Sequence, residues 1–386
     1  MGRRNLWAAG IAALVALTVI AATIEIVRLD PNDYKQQIIS AVEDATGRTL
    51  TLNGRLRVTL SLQPTLEVND VSLGNLPGGT RADMARAERI EATLSLAALL
   101  RHRIEVTRLL LVGPNILFEQ VGGKANWVFE PPGRAIGVPA APPGTPYELR
   151  IRNARVQNGM VTWRLPARTK VLGIRALDIR HQTDEGPLDA ESVLVYSDNQ
   201  PFTLKAHATP TAGIAGPWNT SLAFAAYDTS ATATGMMDVA GSYELQVEGK
   251  FPALAKLNAL LPEMRLPAIA NMEVETHLTN GKRPGDLPVV GATRLVFTAA
   301  DLGDRVQGLK LGATQITLAE PGGAATLSTG GHYAGQSFTM AGTVGTPRYP
   351  DESVTSALNL KLLVAEHKKG AAGHLSLDGK AMLLVR

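Results

Sequence analysis

From Leu50 onward, apolar and polar residues alternate one by one, and this period of two restricts the fold more than any other feature. Ile90, Ala92, Leu94 and Leu96 alternate with Arg89, Glu91, Thr93 and Ser95. Val161, Trp163 and Leu165 alternate with Thr162 and Arg164, and Phe202, Leu204 and Ala206 with Thr203, Lys205 and His207. Tyr243, Leu245 and Val247 alternate with Glu244, Gln246 and Glu248, and Leu358, Leu360, Leu362 and Val364 form a similar row. Successive side chains of a strand point to opposite faces, so each run has one apolar and one polar side. Fifteen or more such runs occur, punctuated by turn pairs such as Asn158-Gly159 and Asn280-Gly281. The pattern predicts a mainly β protein built of antiparallel sheet with one side wet. Two short segments, 96–101 and 252–261, read as helical, the second stopping at Pro262.

An apolar face of that length must be covered. A β-sandwich covers it with a second sheet; an elongated groove covers it with a ligand such as lipid acyl chains. Phe (7) and Trp (4), the bulky fillers of sandwich cores, are scarce among 386 residues, which favours the groove. Ile90, Leu94, Trp163, Phe202, Leu204 and Leu245 lie on the apolar sides of their runs and are the candidate lipid-facing residues.

The N-terminus adds a second constraint. Arg3-Arg4 precedes twenty uncharged residues, 5–24, enough helix for a bilayer's hydrocarbon core. Leu6, Trp7, Ile11, Leu14, Leu17, Ile20 and Ile24 would form this membrane anchor, with Trp7 at the interface. The competing reading, a cleaved signal peptide, calls for a shorter apolar stretch and a better site than Val19-Ile20-Ala21. The paired arginines predict a single-pass protein with a cytoplasmic N-terminus and its body on the other side of the membrane. An amphipathic helix follows. Asp30 is a cap, Pro31 suits the first helical position, Tyr34, Ile38, Val42 and Ala45 form an apolar stripe, and Thr46-Gly47 ends it.

Residues 131–146 hold six prolines and read as a spacer. The expected organisation is an anchor at 1–28, a helix-plus-β unit at 29–130, the linker at 131–146 and a β body at 147–386. Net charge is +3, of which +2 lies in residues 1–29, so the body is nearly neutral and carries no nucleic-acid footprint. There is no cysteine, which removes disulfides, thiolate nucleophiles and cysteine metal sites. No G-x-G, Walker A, G-x-S-x-G or H-E-x-x-H motif occurs, and no two of the seven His lie closer than seven positions. No catalytic, metal or cofactor site is therefore expected. His207 and His277 read as solvated residues of polar strand faces.

Several segments in fixed order carry a resemblance. They are Asp30-Pro31-Asn32-Asp33-Tyr34-Lys35, Glu43, Thr46-Gly47-Arg48, Leu52 and Gly54, then Leu66-Glu67-Val68 and Val71-Ser72-Leu73-Gly74-Asn75. Leu99-Leu100-Arg101-His102-Arg103-Ile104-Glu105-Val106, Gly113-Pro114 and Asn126-Trp127 follow, with 151–161 and, more loosely, 252–267 behind them. Together they resemble the AsmA family of bacterial envelope proteins. The resemblance implies an inner-membrane anchor, a periplasmic body and a likeness to TamB and chorein-like bridge proteins. These are elongated β-grooves with an apolar lining, implicated in phospholipid movement between membranes and in outer-membrane homeostasis. Many members are longer, so a short branch or a truncated groove is implied.

The leading expectation is a protein that binds or conducts phospholipid in an apolar β-groove, with inner-membrane phospholipids as partners. The alternative is an assembly factor that modulates outer-membrane protein insertion, with assembly components as partners and no lipid handling. An enzyme is the reading the missing motifs disfavour. The topology has a direct test. A reporter fused after Arg386 is expected to be active only if its activity requires the periplasm, and a mature N-terminus near Ala22 would overturn the anchor.

Overall fold

The computed structural model describes residues 30–59, 61, 63–99, 103–129, 148–165, 168–181, 186–196, 200–213, 216–238, 241–280, 288–345, 354–368 and 371–385. The anchor residues, Leu6 to Ile24, and the spacer 131–146 lie outside them. No helix among the described residues is long and apolar enough to cross a membrane. The described chain is mainly β, with few helices, and its contacts divide it into two compact units that meet between His181 and Gln182.

The first unit opens on the expected cap. The Asp30 carboxylate accepts the Asn32 amide at 2.9 Å, satisfying one of the donors a helix start leaves unpaired. The first turn, Pro31–Tyr34, is 3-10, and the α-helix proper, α1, is Lys35–Thr46. Gly47 ends it at φ +66°, donating its amide to the Glu43 carbonyl at 2.7 Å. Ile38 of α1 packs on the buried Leu56, Val68 and Val71.

The strands of this unit are β1 (Leu50–Leu52), β2 (Arg57–Thr59), β3 (Thr65–Gly74), β4 (Asp83–Leu94), β5 (Arg103–Val112), β6 (Asn115–Val121), β7 (Lys124–Ala125), β8 (Glu148–Ile151), β9 (Asn153–Leu165) and β10 (Arg168–His181). A single helical turn, α2 (Leu96–Leu99), links β4 to β5 where 96–101 was expected to be helical. β1 and β2 pair with β3, β3 with β4, and β4 with both β5 and β6. β5 then pairs in parallel with β8 and β9, β6 in parallel with β9, and β9 antiparallel with β10.

These parallel pairs correct two expectations. The sheet is mixed, not wholly antiparallel. Residues 147–181 also belong to the first unit, so the boundary falls after His181 and not at the proline-rich stretch. The reason is that parallel neighbours cannot be joined by a tight turn; they need a dozen or more residues of crossover. The stretch between β7 and β8 has that length. A proline-rich segment therefore connects two strands of one sheet instead of separating two domains.

The apolar alternation of β3 breaks its own parity. Val68 and Val71 are three apart, yet both pack in the cluster beneath α1. Asp70 between them has φ +51°, a left-handed residue that turns the strand and returns the next apolar side chain to the same side. Asn158, φ +53°, is a second left-handed residue inside a strand, β9. In both, the short polar side chain tolerates the left-handed region better than most.

Behind Gly47 lies a buried polar knot. Asn126 is fully buried. Its side-chain amide donates to the Leu117 carbonyl at 2.8 Å and to Asn75 Oδ1 at 3.1 Å, and its Oδ1 accepts the Glu119 amide at 3.1 Å. Arg48 donates to the Asn126 carbonyl at 3.2 Å. The buried Glu119 carboxylate accepts the Thr80 amide at 2.9 Å, the Thr80 hydroxyl at 2.7 Å and the Asn75 amide at 2.7 Å. A Cβ at Gly79 would meet Asn75 Nδ2 at 2.4 Å, so the loop needs glycine there. Burial pushes the Glu119 carboxyl up, but the Thr80 and Asn75 hydrogen bonds and the charge of Arg164 outweigh it and hold the group below its usual range.

The sign of the pH effect follows. A carboxyl depressed in the folded state adds stability above its unfolded pKa and loses it as pH falls through the folded value. The wild-type thermal midpoint is expected to fall on acidification, and Glu119→Gln to flatten that decline, so the two curves converge in acid. Thermal unfolding from neutral pH down to about pH 3, below the unfolded carboxyl value, measures it.

Candidate functional site: the apolar face of the second unit

The second unit is a chain of sequential pairings. Its strands are β11 (Leu188–Val195), β12 (Pro201–Pro210), β13 (Trp218–Ala226), β14 (Thr229–Met237), β15 (Tyr243–Ala253), β16 (Ala268–Thr279), β17 (Val289–Phe297), β18 (Ala299–Asp301), β19 (Leu309–Leu318), β20 (Ala325–Tyr333), β21 (Gln336–Val344), β22 (Val354–Lys368) and β23 (Ala371–Val385). Each pairs antiparallel with the next, except that β17 and β18 are in-line pieces that share both neighbours, β16 and β19. Among the described residues, strands that are not ladder neighbours make at most marginal contact. The strands thus follow one another along one large sheet.

Register decides what each face presents. Directly paired residues share a face. One row runs Ser192, Leu204, Phe224, Ala231, Gly249, Val274, Leu295, Ile316, Leu327 and Gly342, each opposite the next. The neighbouring row on the opposite face runs Glu191, Lys205, Ala223, Thr232, Glu248, Glu275, Arg294, Thr317, Thr326 and Thr343. Apart from Ser192 in the first row and Ala223 in the second, the one row is apolar and the other charged or hydroxylated across ten strands. Lys205 pairs with Glu191 at 2.7 Å on the polar side. His207 meets Asp189 at 2.7 Å and His277 meets Glu244 at 3.1 Å there, as solvated polar-face residues.

The apolar face is not uniform. Between β11 and β15 it holds a hollow of about 390 Å³, within the range of small-molecule sites. Ala190, Ala206, Ala231 and Ala233 make its floor, while Leu204, Leu222, Phe224 and Val247 form its sides. Leu204 is 43% exposed, an uncommon state for a leucine in mid-strand.

Beside the hollow the chain covers the face itself. After β15 come two 3-10 turns, Leu254–Ala259 and Pro262–Met264, where 252–261 was expected to be one helix. Buried Leu254 and Leu257 sit on Ala226, and Phe202, Phe224, Phe251, Ile269 and Met272 pack around them. Asn258 clasps the segment, donating to the Leu266 carbonyl at 2.9 Å and accepting the Leu266 amide at 2.6 Å. Prolines at 252, 262 and 267 fix φ along the path, so the segment is a rigid strap.

Of the candidate lipid-facing residues, Leu204 lines the hollow. Phe202 packs under the strap, its ring 6.2 Å from that of Phe224. Leu245 is buried in β15. Ile90, Leu94 and Trp163 belong to the first unit. There Ile90 packs in the cluster under α1, Leu94 is half-buried opposite Val106, and Trp163 is exposed with its ring 5.1 Å from Phe118. Sequence reading missed the alanines of the floor. Their signal is the run Thr229–Met237, where small residues stand at every apolar position before Met237.

A single sheet with one hydrocarbon face, a small-residue hollow and a built-in strap defines a class of β-proteins that expose an extended apolar surface. The AsmA family model matches residues 2–322, and the chain belongs to the AsmA family. No curated protein and no solved structure matches it. Many segments that carry the resemblance are structural: Arg48, Asn75 and Asn126 meet in the buried knot.

The strap gives a measurable consequence. Leu257→Ala removes a buried side chain and is expected to cost about 3 kcal/mol. The loss should be concentrated at 254–266. Thermal unfolding together with amide exchange across the strap measures it, and unchanged exchange there would count against a docked strap.

Proposed function

We propose that the apolar face of the second unit is a groove that holds phospholipid acyl chains. In this reading the protein is non-enzymatic, is anchored in the inner membrane with its body in the periplasm, and supports outer-membrane homeostasis. The observation that carries it is the hollow with half-exposed Leu204 on an apolar row. Large exposed apolar patches on soluble surfaces mark lipid, protein or ligand contacts. A ribbon of aliphatic side chains without convergent polar groups suits a flexible hydrocarbon. AsmA membership supports an envelope-associated role.

Leu204→Glu separates this reading from a packed core. On an open face the carboxylate reaches water, and the stability cost stays near 1 kcal/mol. In a sealed core it would be buried unpaired at a cost of several kcal/mol. The expected outcome is a folded variant that no longer co-purifies phospholipid and fails to restore an envelope-permeability defect. Mass spectrometry of the purified full chain reads the first effect. Wild-type protein without stoichiometric phospholipid would overturn the proposal.

A further inference from the structure

The first unit carries an exposed aromatic cluster that its packing does not use. Phe118 of β6 stands between two tryptophans, edge-on to Trp127 at 5.6 Å and tilted on Trp163 at 5.1 Å. Trp127 and Trp163 are each 40% exposed, and Phe129 follows at 41%. The first unit thus displays two of the chain's four tryptophans together in a protein otherwise poor in aromatics.

Two lysines stand near the cluster. Lys170 is paired directly opposite Trp163 and shares its face, and Lys124 of β7 precedes Trp127 by three residues, whereas Arg164 is on the opposite face, paired with Glu119. The β6 carboxylate, Glu119, is buried and bonded within the knot, and the β10 carboxylate, Asp178, pairs with Arg155 eight residues along from Lys170. Tryptophan with neighbouring lysine is a composition that settles at the headgroup level of a bilayer, ring in the interface and cation toward phosphate.

Position favours the same partner. Only six residue steps separate Ile24, the end of the apolar stretch, from Asp30, where the first unit begins, a reach of at most about 20 Å. Trp127 lies near the C-terminal end of α1, because Arg48 just after that helix holds Asn126. α1 is about 18 Å long, so both its ends reach the surface when it lies along the membrane.

We infer that the Trp127–Phe118–Trp163 cluster is a membrane-contact surface, which seats the first unit on an anionic lipid surface with α1 roughly parallel to it. The inference rests on the inner-membrane reading above for its tether. It adds a contact that the anchor alone does not require.

The test uses the full chain reconstituted in vesicles of phosphatidylethanolamine and phosphatidylglycerol, with brominated lipids as quenchers. One variant, Trp7→Phe/Trp218→Phe, keeps only the cluster's tryptophans; a second, Trp127→Phe/Trp163→Phe/Trp218→Phe, keeps only Trp7. The expected result is strong quenching of the cluster by shallow bromines, weaker quenching by deep ones, and a loss of quenching when phosphatidylcholine replaces phosphatidylglycerol. Cluster tryptophans that ignore brominated lipid in both vesicle types would overturn the inference. So would emission that is already blue-shifted and shielded from aqueous quencher in vesicles without bromine yet indifferent to bromolipid, since another part of the protein would then be the cover. Trp7 reports separately on the tether: its failure to be quenched sinks the anchor, whereas quenched Trp7 beside an unquenched cluster sinks only the contact surface. Should Trp218→Phe disturb the fold, Trp127→Ser/Trp163→Ser is compared with the native chain instead, the expected result being a fall in shallow quenching to what the remaining Trp7 gives, and equal shallow quenching in the two would overturn the inference.

Discussion

Strand register is the constraint on which the second unit depends. Side chains have a period of two along a strand, so a slip of one residue would exchange the faces of that strand completely. Along this row the pairing holds across ten strands: Leu204 meets Phe224, Val274 meets Leu295, and Ile316 meets Leu327, while the one-residue shifts between Thr276 and Leu278 and between Leu311 and Thr314 fall to one side of it. Cross-strand charge pairs on the other face point the same way, as with Glu191 and Lys205 or Glu275 and Arg294. Each exposed pair contributes only a few tenths of a kcal/mol. Their value lies in opposing the slipped pairings, which would set carboxylates into the hydrocarbon row at far greater cost.

That period of two made the strands and their apolar sides legible before any coordinates. Asp30, Pro31 and Gly47 likewise marked the first helix, because caps and left-handed ends depend on local chemistry. What stayed illegible depends on contacts distant in sequence. Alternation cannot tell which strand pairs with which, so the parallel joining of β5 and β6 to β9 was invisible. The proline-rich stretch read as a domain border for the same reason. Asp70 also resets the parity of its strand, and a polar residue in a strand does not announce a left-handed backbone.

The candidate site was legible only in part, for a physical reason. Sequence patterns reveal side chains that are present, whereas a hollow is made by side chains that are small. Leu204 was identifiable as an apolar-face residue, but nothing in the alternation distinguishes it from Ile90, which α1 covers. Trp163, Phe202 and Leu204 shared one description and have three different environments.

The strap and the hollow divide the apolar face by side-chain volume. Where Phe202, Phe251 and Met272 gather, the chain folds Leu254 and Leu257 back over them. An uncovered aromatic cluster at that point would expose several times the apolar area of an alanine, at about 25 cal/mol for each Å². Where alanines line the floor, the penalty for exposure is small and no cover is supplied. A folded chain can therefore keep this hollow open without a large loss of stability. The same alanines leave room above the sheet for a hydrocarbon, and Leu204 and Phe224 at the sides supply apolar area for it to bury. Large side chains at Ala231 and Ala233 would fill the space and remove both properties together, which makes the small residues, more than the leucines, the feature that distinguishes this part of the face from an ordinary core.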